Sequence, residues 1–123
     1  MSAVFINLSN HPLTDWRKEQ LNEARNLGEE LIDLPFPNVS PSIGAEEIRK
    51  LAEVQIERII DISKNYDSAV VHIVGEPNLV FEVVTMLKMQ GITCVASTTE
   101  RISTNLPGGQ KISEFKFIRF REY

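Results

Sequence analysis

Ala3-Val4-Phe5-Ile6-Asn7-Leu8-Ser9-Asn10-His11-Pro12 is a short, almost wholly apolar run that ends abruptly in a polar, turn-prone tetrapeptide. Two other stretches repeat the pattern. Ala69 to Val74 hands over to Gly75-Glu76-Pro77, and Ile92 to Ala96 hands over to Ser97-Thr98-Thr99-Glu100-Arg101. Runs of this kind read as strands buried on both faces, as in parallel sheets covered by helices. Ligands of open α/β sheets sit in the crevice beyond the carboxyl ends of the strands. The chemistry of these segments, read as loops, is therefore what the sequence says about function.

Working outward, a helix is expected from about Thr14 to Leu27, with Thr14 as N-cap, Trp16, Leu21, Ala24 and Leu27 on one face, and Gly28 as the C′ residue. Leu31–Leu34 reads as a second strand. It stops at Pro35-Phe36-Pro37, which puts it at a sheet edge because proline removes a ladder donor. A Pro-rich connection then runs to Gly44, long enough to form a lid or a partner contact. Helix two is expected over Ala45–Lys64 and helix three over Asn78–Gln90, closed by Gly91. Leu106-Pro107-Gly108-Gly109 suits a type II turn, and Ile112 to Arg121 reads as a fifth strand that alternates imperfectly. So short a connection permits only an antiparallel partner, the extension of strand four. The pattern predicts one α/β domain over residues 1–123, a Rossmann-like parallel sheet of order 2-1-3-4 with strand five antiparallel at the edge.

Composition limits the function classes. The chain has 123 residues, 42% apolar and 24% charged, with one cysteine, so no internal disulfide forms. Met1 leads straight into a strand pattern, and no run approaches the roughly 20 apolar residues of a membrane helix. A cytoplasmic protein without a membrane partner is expected. The net charge of −4 argues against binding long nucleic acid, which calls for a basic surplus. Two histidines and one cysteine at scattered positions make no zinc set, so no metal or cofactor is expected. No G-x-G-x-x-G, no P-loop, no flavin-phosphate loop and no serine-nucleophile elbow occurs.

Several side chains carry chemistry, each with a plainer alternative. His11 is either a general acid/base or phosphate donor, or a solvated loop histidine. Ser97, Thr98 and Thr99 offer hydroxyls and backbone N–H groups in a turn, and Arg101 a planar fork for phosphate; the alternative is a polar strand end with Arg101 paired to Glu100 or Glu76. Ser9 and Asn10 have the same two readings. Glu76 accepts a ribose hydroxyl or acts as a base, or else caps helix three, where the dipole favours a negative charge. His72, inside a strand, reads as a core or interface histidine with its bonds satisfied, and Cys94 as a packed thiol. Helix three is apolar around most of its circumference, from Leu79 to Met89, which suggests a homodimer interface.

Asn7-Leu8-Ser9-Asn10-His11-Pro12, Asp33-Leu34-Pro35-Phe36-Pro37, Val71-His72-Ile73-Val74-Gly75-Glu76, Ser97-Thr98-Thr99-Glu100-Arg101 and the ending Phe117-Ile118-Arg119-Phe120-Arg121-Glu122-Tyr123 together resemble a family of small CRISPR-associated proteins. That family accompanies type III systems and is related to CARF sensor domains. The resemblance spans nearly the whole chain. It implies binding of a cyclic oligoadenylate messenger, cyclic tetra-adenylate first, by a homodimer that holds the ring across its two-fold axis. Members either cut the ring, as ring nucleases, or sequester it, as sponges. Cutting without metal requires a ribose 2′-hydroxyl in line with the neighbouring phosphate, with charge stabilisation from Arg101 and loop N–H groups and proton movement by His11 or Glu76. Ser9, Asn10, Gly75, Ser97, Thr98 and Thr99 would line the crevice. A flavodoxin-like protein-interaction module is the reading from outside the family.

Overall fold

The computed structural model describes residues 2–123. Five strands form one sheet of order β2-β1-β3-β4-β5, with β1 Ala3–Ser9, β2 Glu30–Pro35, β3 Ser68–Ile73, β4 Thr93–Asn105 and β5 Lys111–Glu122. All neighbours are parallel except β4 and β5. The expected Rossmann-like α/β order holds, including β2 at the edge and β5 antiparallel. Three α-helices connect the parallel strands: α1 Lys18–Leu27, α2 Ala45–Ser63 and α3 Pro77–Met89.

Alternation along each strand sorts the apolar side chains between two layers. Val4, Ile6, Leu8, Val71 and Ile73 pack under α2 and α3 with Ile48, Ile59, Leu79, Val83 and Leu87. Phe5, Val95 and Phe120 face the other way, toward Trp16 and Ala24. This second layer is covered by α1, ten residues long, against nineteen and thirteen for the helices opposite. One short helix does not cover five strands. The sheet surface left over lies toward β4.

The α1 region departs from the sequence expectation. Instead of one helix capped by Thr14, a short 3-10 turn, Leu13–Asp15, is followed by an extended Trp16 and an α-helix with Arg17 as N-cap. The cause is the indole. Trp16 Nε1 donates to the His11 carbonyl at 2.9 Å while the ring packs edge-on to Phe5, and a continuous helix would not hold it there. Gly28 is not the left-handed C′ residue either. Its φ is −157°, and a Cβ there would lie 2.5 Å from Phe5 N, so glycine lets α1 come down on β1. Gly91 does close α3, with φ 76°.

A larger departure concerns Ser97 to Arg101. They are not a turn: β4 runs unbroken through them to Asn105 and pairs with β5 as a long hairpin. Gly108 and Gly109, with φ of 87° and 82°, close it as the Pro-Gly-Gly sequence suggests. Thr98 pairs with Arg119 and Thr99 with Phe117, which leaves Ile118 as an extra residue on β5. This bulge explains the imperfect alternation, because it lets Phe115, Phe117 and Phe120 share one face.

Helix α3 turns much of its apolar surface inward. Leu79, Val83, Val84 and Leu87 are buried against the chain's own core, whereas Phe81 and Met89 are 67% and 83% exposed. Val84→Glu should therefore lower stability by at least about 3 kcal/mol, since it buries an unpaired charge. Phe81→Glu should stay within about 0.5 kcal/mol, as surface changes do. Urea denaturation followed by circular dichroism checks both; equal losses would contradict this division of the helix.

Candidate functional site

Three polar residues stand side by side in otherwise apolar strands. In the parallel register Asn7 of β1 pairs with Asp33 of β2 and with His72 of β3. All three point to the α1 side. Asn7 Nδ2 donates to Asp33 Oδ1 at 3.0 Å and to the His11 carbonyl at 2.8 Å. Asn7 Oδ1 accepts from Ser9 Oγ at 2.8 Å and from His72 Nδ1 at 2.9 Å. Both hydrogens and both lone pairs of this buried amide are used.

The loop after β1 is held by this row. Ser9 Oγ accepts from His11 N at 3.2 Å, Asp33 accepts from the Leu13 amide, and Trp16 adds its bond to the His11 carbonyl. The His11 carbonyl is thus turned into the protein, and the imidazole stands exposed at the rim. A cavity of about 430 Å³ opens beside it, lined by Ser9, His11, Trp16, His72, Ser97, Thr99 and Phe115 among others. Its origin lies in the sheet. Pairing between β3 and β4 ends at His72 with Val95, after which β4 leaves with β5.

Ser9, His11, Ser97 and Thr99 are therefore brought together, although the last two arrive on a strand paired with β5 and not in a turn. Arg101 stands two residues beyond Thr99, on the same face of β4. It is exposed and donates to Ser113 Oγ at 3.1 Å rather than to Glu100 or Glu76. Thr98 points to the other face and donates to the Arg119 carbonyl. Glu76 is the N-cap of α3, its two carboxylate oxygens accepting from the amides of Asn78 and Leu79 at 3.1 and 2.8 Å. With Asn10 it borders a separate cleft against Phe36 to Val39. Gly75 is a packing position: a Cβ there would sit 2.5 Å from the Phe36 ring, so Phe36 lies on the bare backbone. The expected single crevice is thus two, one on each side of the sheet.

The sequence reading undervalued His72. Only one of its nitrogens is satisfied: Nε2 is buried without a hydrogen-bond partner. An acceptor in that state costs about 1–3 kcal/mol. The ring is stacked on Phe5, with Trp16 and Phe120 at its edges. Burial in this aromatic box, helped by His11 nearby, lowers its pKa to about 4. Cys94 is the packed thiol expected, pushed up to about 11 by burial. No group of three or more His, Cys, Asp or Glu side chains suited to a metal occurs among the described residues. No helix among them is long and apolar enough to cross a membrane.

These features define a Rossmann-like α/β domain with a cavity at the carboxyl ends of its strands. The chain matches the model of the uncharacterized protein MJ1673 family over residues 3–121, and it belongs to that family. No curated protein matches it.

His72 also sets a pH dependence. The unfolded chain takes up the imidazole proton near the ordinary value of 6.5, the folded chain only near 4. Between these values the unfolded state binds more protons, so acid favours unfolding. The contribution is fully present above about pH 6.5 and is lost as the pH falls toward 4, a change on the order of 3 kcal/mol. His72→Phe should flatten this part of the stability-against-pH curve in urea titrations. An unchanged slope in the variant would contradict a neutral, buried His72.

Proposed function

We propose that this chain binds a cyclic oligoadenylate, cyclic tetra-adenylate first, in the α1-side cavity, and cuts it without metal. The observation that carries this reading is the cavity itself, at the strand ends where such sheets hold ligands. It joins aromatic side chains, Trp16 and Phe115, to the hydroxyls of Ser9, Ser97 and Thr99 and to an imidazole on a fixed loop. The first suits a flat base and the second a ribose. The family resemblance of the sequence supports the ring as the ligand.

In this reading a ribose 2′-oxygen attacks the adjacent phosphorus, the bond to the 5′-oxygen breaks, and a 2′,3′-cyclic phosphate remains. His11 moves the proton from the attacking to the departing oxygen. Arg101 faces the ring's phosphates from the hairpin. Glu76, occupied in capping α3 on the other side, takes no part.

A symmetric ligand suits a symmetric pair of chains. The hairpin is exposed from Thr99 to Asn105 and from Pro107 to Lys116, and it carries Ile102, Ile112 and Phe115 into solvent. A two-stranded ribbon is marginal by itself in water. A second copy packed there would cover it and bring two cavities together. Phe81 and Met89 of α3 lie on the opposite side of the sheet.

Calorimetry with cyclic tri-, tetra- and hexa-adenylate, with chromatography of the products, tests the proposal. Arg101→Ala should cost about 1.5–3 kcal/mol of binding. His11→Ala should slow turnover by about 10²–10⁴-fold with little change in affinity. Binding by the unmutated protein without turnover would make it a sponge. No binding of any ring by the folded protein would leave the protein-interaction module.

A further inference from the structure

We propose that His72 Nε2 accepts a hydrogen bond from the exocyclic amine of an adenine held in the α1-side cavity, and so selects adenine over 6-oxopurines. The inference rests on the nucleotide-binding reading above and names the group that chooses the base.

Asn7 fixes the tautomer of His72. Its side chain meets two acceptors on one side, the His11 carbonyl and Asp33 Oδ1, and only an NH₂ group serves both. The oxygen therefore faces Ser9 Oγ and His72 Nδ1. That oxygen donates nothing, so His72 Nδ1 carries the hydrogen. In a neutral imidazole the other nitrogen then holds a lone pair. The ring's low proton affinity, set by burial, keeps it neutral at physiological pH. Nε2 is thus a fixed acceptor with no donor within reach among the described residues. The only other such orphan among them, Gln55 Oε1, belongs to α2 on the opposite side of the sheet.

His72 is part of the cavity wall, alongside Trp16 and Phe115; Nε2 itself is covered, so the base reaches it as a ring beside it shifts aside. Phosphate oxygens are themselves acceptors and are repelled by a lone pair. A ribose hydroxyl is a donor, but it brings charged phosphates with it into an aromatic enclosure. An adenine brings a flat apolar body and an N–H donor at its edge. That pairing also separates the two histidines. His72 is too weak a base to take a proton near neutral pH, so it recognises, while His11 at the rim is left for proton transfer.

A 6-oxopurine places a carbonyl oxygen where adenine has its amine, so two acceptors would face each other. Sites built around such a bond reject analogues strongly. The unmutated protein should bind the ring of four inosine nucleotides at least about 10²-fold more weakly than cyclic tetra-adenylate. His72→Phe keeps an aromatic ring in the box and removes the acceptor. It should weaken adenine binding and bring the two rings within a few-fold of each other. Calorimetry with both rings reads the ratio, which a purely structural role would not move. In the unmutated protein, the Nε2 nitrogen resonance should also shift on adding the adenine ring and not the inosine ring. Equal affinity of the unmutated protein for the two rings, or full discrimination by folded His72→Phe, would overturn the assignment and leave the binding reading intact. Binding of neither ring would overturn both.

Discussion

The amide of Asn7 is the constraint on which the rest of the site depends. It lies on β1, between β2 and β3, in the middle of an apolar run, and is nearly inaccessible to solvent. A polar group buried there is tolerated only with its hydrogen bonds complete. Asn7 completes all four with Asp33 on β2, His72 on β3, Ser9 at the end of its own strand and His11 on the loop that follows. One side chain thus joins three strands and the first loop, and it fixes the orientation of each partner.

Consequences spread from there in two directions. Toward solvent, the His11 carbonyl is held by Asn7 and Trp16, so the imidazole is presented on a loop that cannot easily rearrange. Such support of a reactive group by neighbours is what gives a site its precision. Toward the core, the His72 tautomer is decided, and its free nitrogen is left buried among aromatic rings, in a residue that lines the cavity. The cavity exists because α1 is short and because β4 abandons β3 for β5. Covering that gap with a longer helix would remove both the orphan nitrogen and the place for a ligand.

The sheet order was legible because three apolar runs, each closed by turn residues, leave little choice of topology, and because Pro35 and Pro37 exclude β2 from the interior. Other features were hidden by their long-range causes. Ser97 to Arg101 read as a turn because hydroxyls and charges suit turns, yet pairing with β5 draws them into a strand, and β5 disguised itself with the bulge at Ile118. Trp16 read as a helical residue because the indole bond that pulls it out of the helix is made to a residue in a loop. Gly75 read as a site residue because nothing local showed that Phe36 would lie on it, whereas the capping of α3 by Glu76 was one of the two readings its place before the helix allowed. The polar row had a signal that went unused. Asp33, Asn7 and His72 are each a single polar side chain inside an apolar strand, and at matching positions of parallel strands such residues meet.

The polar row fixes the protonation pattern of one ring. Long-range proton–nitrogen correlation spectra of the uniformly nitrogen-15-labelled protein read it directly, with His72→Phe assigning the resonances. At pH 7 His72 should be the neutral form with hydrogen on Nδ1 and a bare Nε2, unchanged down to about pH 5. A His72 that carries its hydrogen on Nε2, or that is doubly protonated at pH 6, would contradict it.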